Sequence, residues 1–151
     1  LPNWIPITID TLYEAKVAAL IDALNSLAKA TGQPDRVPGI VQGRVDHVRR
    51  KIMSCAGNRV DADPTTVPAG LRDLTVDLVI ARLKIALEIA LEDDERTALK
   101  AHEHDLNRIA DCKDKVEEPD SPVAAPVEAG GGIETLQDGN SGASREELKG
   151  L

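Results

Sequence analysis

Apolar residues recur at helical spacing in four stretches of the chain, and then the pattern stops. Leu12, Ala15, Ala19, Leu20, Leu24 and Leu27 mark one face of a first helix, with Lys16, Asp22 and Lys29 on the other. Thr11 and Glu14 fit a capping box at its start, and Thr31-Gly32-Gln33-Pro34 fits a stop with Gly32 as a left-handed cap. Val37-Pro38-Gly39 restarts the chain. Ile40, Val41, Val45, Val48, Ile52 and Cys55 then line a second helix, opposite Gln42, Arg44, Asp46, Arg49, Arg50 and Lys51, and Gly57-Asn58 ends it. A polar loop, Arg59–Val67, follows. Pro68 suits the first turn of a third helix, apolar on nearly every side from Leu71 to Leu91, as a central element is. Asp77 and Arg82 interrupt it five residues apart, which is not an ideal intrahelical pair. Each must reach solvent or find a partner across a helix or subunit boundary, and a structural salt bridge is favoured over an active site. Asp93-Asp94-Glu95 opens a last helix with a thinner stripe of Ala98, Leu99, Leu106, Ile109 and Ala110. The expectation is an all-α body, a small four-helix bundle. Its helices fall at 11–30, 40–56, 68–92 and 94–116, with Leu20, Leu74, Leu78 and Ile85 buried.

The two ends differ from this body, 11–116. Residues 1–10 read as an extended N-terminal arm: Pro2 and Pro6 oppose helix, and Trp4, Ile5, Ile7 and Ile9 partly alternate. The arm either covers the edge of the bundle or docks on a neighbouring subunit with Trp4 as anchor. Residues 117–151 form an acidic, Pro/Gly-rich C-terminal arm. Of the whole chain's net charge of -8, this arm carries -6 and the first 116 residues only -2. Pro119, Pro122 and Pro126 stiffen its stem, Gly130-Gly131-Gly132 makes a joint, and Ser144–Glu147 matches a capping box for a short terminal helix. Ile133, Leu136 and Leu148 are its large apolar residues, expected as contacts when the arm orders on an assembled particle. The rival reading is a solubilising tail without fixed structure.

Composition narrows the classes further. With one Trp, one Tyr and no Phe, the core must be aliphatic, and reliance on neighbouring subunits becomes plausible. Cys55 and Cys112 lack CxxC spacing; two thiols in a reducing compartment are the expectation, with a disulfide as the alternative for an exported chain. No apolar run approaches the ~20 residues of a membrane span. The start lacks a basic segment followed by an apolar one, so the chain is expected to stay soluble inside the cell that makes it.

Catalytic patterns are weak. His102-Glu103-His104-Asp105 does not place histidines four apart, as a zinc helix requires, and two hydrated histidines are expected instead. His47 stands beside Asp46 without a nucleophile at recognisable spacing. Asp61-Ala62-Asp63-Pro64-Thr65-Thr66 lacks the glycine and distal glutamate of a calcium loop, and the glycines at 130–132 lack the strand and trailing Lys-Ser/Thr of a phosphate loop. No catalytic, cofactor-binding or metal residue is assigned. The one basic concentration is Arg44, Arg49, Arg50 and Lys51, with Arg59 nearby; in so acidic a chain it suits an acidic protein face better than duplex DNA.

The stretches Ile52-Met53-Ser54-Cys55-Ala56-Gly57-Asn58-Arg59, Val67-Pro68-Ala69-Gly70-Leu71, Val76 through Leu91, and Leu106-Asn107-Arg108-Ile109-Ala110-Asp111 carry a likeness. Over about residues 8–115 the chain resembles the small head-to-tail connector (adaptor, neck) proteins of tailed bacteriophages, of the Mu-like type. It departs from them in lacking tyrosines around the glycine turn and the long helix, and in its longer tail. The resemblance implies a structural virion protein made in the host bacterial cytoplasm and placed in the virion neck. It would form a homo-oligomeric ring of about twelve subunits between the portal and the tail or stopper protein. DNA would pass through the ring, and the ring would perform no reaction, bind no cofactor and touch no membrane. Trp4, Arg49, Arg50, Lys51, Ile133, Leu136 and Leu148 are the expected interface residues. The alternatives are a small phage or bacterial DNA-binding or regulatory protein, a small helical enzyme, and a chaperone-like or secretion adaptor.

Overall fold

A computed structural model describes residues 1–14, 18–30, 32 and 35–123. The chain forms a small, mostly helical domain with a minor two-stranded sheet at its edge. In chain order its elements are β1 (Trp4–Pro6), α1 (Ile9–Glu14), α2 (Ala18–Ala30), α3 (Val37–Met53), β2 (Thr66–Pro68), a 3-10 turn (Ala69–Leu71), α4 (Arg72–Ala86) and α5 (Asp93–Ala110).

Helix α3 is the hub, packing against both α4 and α5. Its buried residues Val37, Val41, Val45, Val48 and Ile52 follow the three-and-four spacing of one helix face. It begins three residues earlier than the apolar pattern predicts. Pro38 occupies the first turn, where no N–H is needed, and Asp35 Oδ1 accepts the Val37 N–H at 2.9 Å. Leu74, Val76, Leu78, Val79 and Leu83 of α4 and Leu106 and Ile109 of α5 complete the core with Leu12, Ile21, Leu24 and Trp4.

Several expected boundaries move, each for a local reason. The first helix is described over Ile9–Glu14 and Ala18–Ala30, and its start is capped by Thr8, whose hydroxyl accepts the Thr11 N–H while Thr11 Oγ1 accepts the Thr8 N–H at 3.2 Å. Glu14 takes no part in a cap and pairs instead with Arg72 at 2.9 Å. Pro68 is not in a helix; Thr66, Val67 and Pro68 pair antiparallel with Pro6, Ile5 and Trp4. Helix α4 stops at Ala86 because Glu88 turns left-handed (φ 59), letting the Ile89 N–H reach back to Lys84 O at 2.8 Å. Leu20 is half-buried and Ile85 is 50 % exposed, against the expectation that both are core, whereas Leu74 and Leu78 are buried. Glu92 and Glu95 form the capping box of α5.

Cys55, just beyond α3, and Cys112, just beyond α5, are joined as a disulfide with Cα atoms 5.2 Å apart. This replaces the expectation of two separate thiols: both helices end at the same side of the domain, which the sequence spacing of 57 does not reveal. Cross-linking a loop of that length stabilises by roughly 4 kcal/mol in the chain-entropy account. The Cys55→Ser/Cys112→Ser variant should therefore unfold at a lower urea concentration than the oxidised protein by a shift equivalent to about 2–4 kcal/mol. Added reductant should then shift only the oxidised wild type.

Candidate interaction surface

The N-terminal segment and residues 117–123 are lashed together on one side of the domain. Asp120 accepts the backbone N–H groups of Trp4 (2.9 Å) and Asn3 (3.1 Å), and these bonds hold its carboxyl below the usual carboxylate range. Glu117 accepts the Gly70 N–H at 2.9 Å, and its carbonyl takes the Trp4 indole N–H at 2.8 Å. Ser121 accepts the Ala62 N–H at 2.7 Å, and the Val123 N–H donates to Val60 O at 2.9 Å. The stem of the C-terminal arm thus packs on the body. Residues 124–151, including Ile133, Leu136 and Leu148, lie outside the described residues.

Trp4 and Arg49, expected as interface residues, are 3 % and 7 % exposed and are used inside the chain. The Arg49 guanidinium lies 5.5 Å from the centre of the Trp4 ring. It donates to Asp61 O at 2.6 Å, Thr66 O at 2.8 Å and Asp63 O at 3.0 Å, gathering the loop between α3 and β2 around one cation. Burial lowers its pKa, opposed by Asp61, Asp46 and Asp63. Lys51 sits in the α3–α5 seam, bonded to Asn107 Oδ1 at 2.5 Å. Arg50 alone of the three is exposed. Successive helical residues point ~100° apart, so the run at 49–51 is not a single patch.

The histidines also find structural partners. His47 meets Glu103 at 2.7 Å across the same seam, and His102 meets Asp77 at 2.8 Å between α4 and α5. Asp77 thereby gains the cross-helix partner its position demands, and His102 is half-buried rather than hydrated, while His104 is exposed. Among the described residues no group of three or more His, Cys, Asp or Glu side chains could hold a metal ion. No helix among them is long and apolar enough to cross a membrane.

An open groove runs between the first half of α3 and the second half of α4. Arg36, Gly39, Ile40, Gly43 and Arg44 form one wall, and Arg82, Ile85, Ala86 and Glu88 the other. None of Arg36, Arg44 and Arg82 makes a side-chain hydrogen bond or ion pair within the described residues. The pKa of Arg44 is lowered by burial and then by the neighbouring charge of Arg82, with Glu103 opposing. The site is a cationic trough with a partly apolar lining. Arg36, Gly39 and Gly43 do not stand out along the chain, although Arg36, Ile40 and Arg44 recur at four-residue spacing.

The chain matches no family model, no curated protein and no solved structure.

Proposed function

We propose that the protein is a structural subunit of a head-to-tail connector of a tailed bacteriophage, forming a ring between portal and tail and catalysing no reaction. The reading rests on the order of parts: α3 ending in a left-handed glycine turn at Gly57 (φ 97), a proline-containing loop, the apolar α4 and the amphipathic α5. In this reading α2, α3, α4 and α5 act as the four-helix bundle of a connector body, and residues 124–151 reach to neighbours. The observation that carries most weight is the unpaired cationic groove on an otherwise acidic chain, because a ring needs an unsatisfied face on each subunit to receive the next.

The test is electron microscopy of the purified chain mixed with its portal protein. A closed ring of about twelve copies seated on the portal is the expected result. A chain that stays monomeric or dimeric and leaves the portal bare would reject the reading. The second reading, a DNA-binding or regulatory protein, draws on the same arginines. Its mark would be salt-dependent binding to duplex DNA without any portal complex.

A further inference from the structure

We propose that Cys112 is a thiol-modification site, and that Cys55 and Cys112 form a redox switch that opens and closes within the folded domain. A small-molecule disulfide such as glutathione disulfide exchanges at Cys112, and Cys55 resolves the adduct into the internal bond. The switch operates in the single chain and does not depend on a ring.

The ends of α3 and α5 are brought together by contacts that involve neither sulfur. Val48 and Ile52 of α3 and Leu106 and Ile109 of α5 are buried in one core. Across the same seam His47 meets Glu103 at 2.7 Å, and Lys51 meets Asn107 at 2.5 Å and Glu103 at 3.9 Å. Cutting the bond leaves all of these in place, so the two thiols stay side by side in the reduced chain.

Each cysteine also sits in a turn that its own backbone fixes. Cys112 is left-handed (φ 64), a conformation that costs a residue with a side chain and persists only where its surroundings impose it. The Cys112 N–H donates to Ile109 O at 3.0 Å and the Lys113 N–H to Arg108 O at 2.8 Å, while the Arg108 guanidinium grips both oxygens of Asp114 at 2.9 Å. The Cys55 N–H donates to Ile52 O at 3.3 Å, and the Asn58 N–H and side-chain amide donate to Cys55 O and Ile52 O, both at 3.1 Å. Two thiols preset in this way, with Cα atoms 5.2 Å apart, meet at high effective concentration.

Exposure makes the two sulfurs unequal. Cys112 is exposed, whereas Cys55 is 8 % exposed. Access decides which sulfur exchanges with a small molecule. In closing, the Cys112 thiolate attacks one sulfur of RSSR, forms Cys112–S–S–R and expels RS⁻. The Cys55 thiolate then attacks Cys112 Sγ and expels the second RS⁻. RSSR gains the two electrons that the pair loses, and the two thiol protons leave on two RSH. Opening is the reverse: RS⁻ attacks Cys112 Sγ and Cys55 leaves as the thiolate. The closed bond holds β2, α4 and α5 in one loop, together with Val60, Ala62 and Gly70, which seat residues 117–123. An oxidising medium therefore tightens the same fold that a reducing medium loosens.

The test uses the full chain, reduced with dithiothreitol, desalted and mixed with glutathione disulfide at neutral pH, then quenched with acid and mapped by peptide mass spectrometry. The reduced chain should keep the helical circular-dichroism signal of the oxidised one and unfold cooperatively at lower urea. The wild type should pass through a glutathione adduct on Cys112 alone and finish as the internal disulfide. Cys55→Ser should trap the adduct at Cys112, whereas in Cys112→Ser the remaining Cys55 should react at least about tenfold more slowly. In about 6 M urea that contrast should vanish. Loss of the helical signal on reduction overturns the proposal, because the bond is then a condition of folding and not a switch. Equal first modification of both cysteines in the wild type, where no substitution disturbs the fold, overturns it too. So does glutathione that accumulates on both without an internal bond, or a contrast that survives urea, since neither adjacency nor burial would then govern the chemistry.

Discussion

Arg49→Ala should be among the most destabilising single substitutions in this chain, costing about 3–5 kcal/mol. The guanidinium holds the carbonyls of Asp61, Asp63 and Thr66 at 2.6–3.0 Å, within a site that is 7 % exposed. Alanine leaves those acceptors short of a donor, at about 1–3 kcal/mol for each one that water does not reach. It also removes the cation from the Trp4 face, a smaller effect of about 0.5–1 kcal/mol. Arg49→Lys should recover less than half, because an ammonium cannot fork to three carbonyls. Trp4 is the only tryptophan, so its fluorescence during urea unfolding reports on this site directly. A midpoint shift worth less than about 1 kcal/mol would mean that the loop does not depend on the arginine. The same geometry changes what reversing residues 49–51 together can show. Such a variant would lose its fold through Arg49 before it could report on assembly through Arg50.

The sequence made the helices legible because each buries a stripe that repeats locally. Val41, Val45, Val48 and Ile52 needed no partner to be recognised. In the same row Arg49 follows Val41 and Val45 at four-residue spacing, which places it on the edge of the buried face rather than opposite it. The β1–β2 pairing was not legible. Three-residue strands show no period, and Trp4 finds Pro68 only through the fold. The disulfide was hidden for the same reason, since Cys55 and Cys112 become neighbours only when α3 and α5 end together. For the candidate site the sequence located one wall in part. Arg44 stood out in the basic concentration, and Arg82 stood out as a charge in an apolar helix. Their convergence, and the empty floor at Gly39 and Gly43, depend on how α3 crosses α4.

Leu78 and Ile85 show the limit of a periodic reading and give the largest expected effect. Seven residues apart on α4, they lie within ~20° of one another around the helix axis, so the pattern predicts the same fate for both. The structure buries Leu78 to 6 % exposure and leaves Ile85 at 50 %, because Ile85 faces the groove. Leu78→Asp should therefore unfold the domain. The carboxylate must either enter an aliphatic core without a partner or be protonated at neutral pH, and either cost, more than about 4 kcal/mol, takes most of the stability of a domain this size. Ile85→Asp should stay folded, with a change within about 1 kcal/mol. Circular dichroism and thermal unfolding of the two variants side by side are the measurement. A cooperative transition in Leu78→Asp within a few degrees of wild type would show that α4 does not pack as described. Unfolding of both would show that the α3–α4 groove is closed in solution, leaving Arg36, Arg44 and Arg82 no open face to offer.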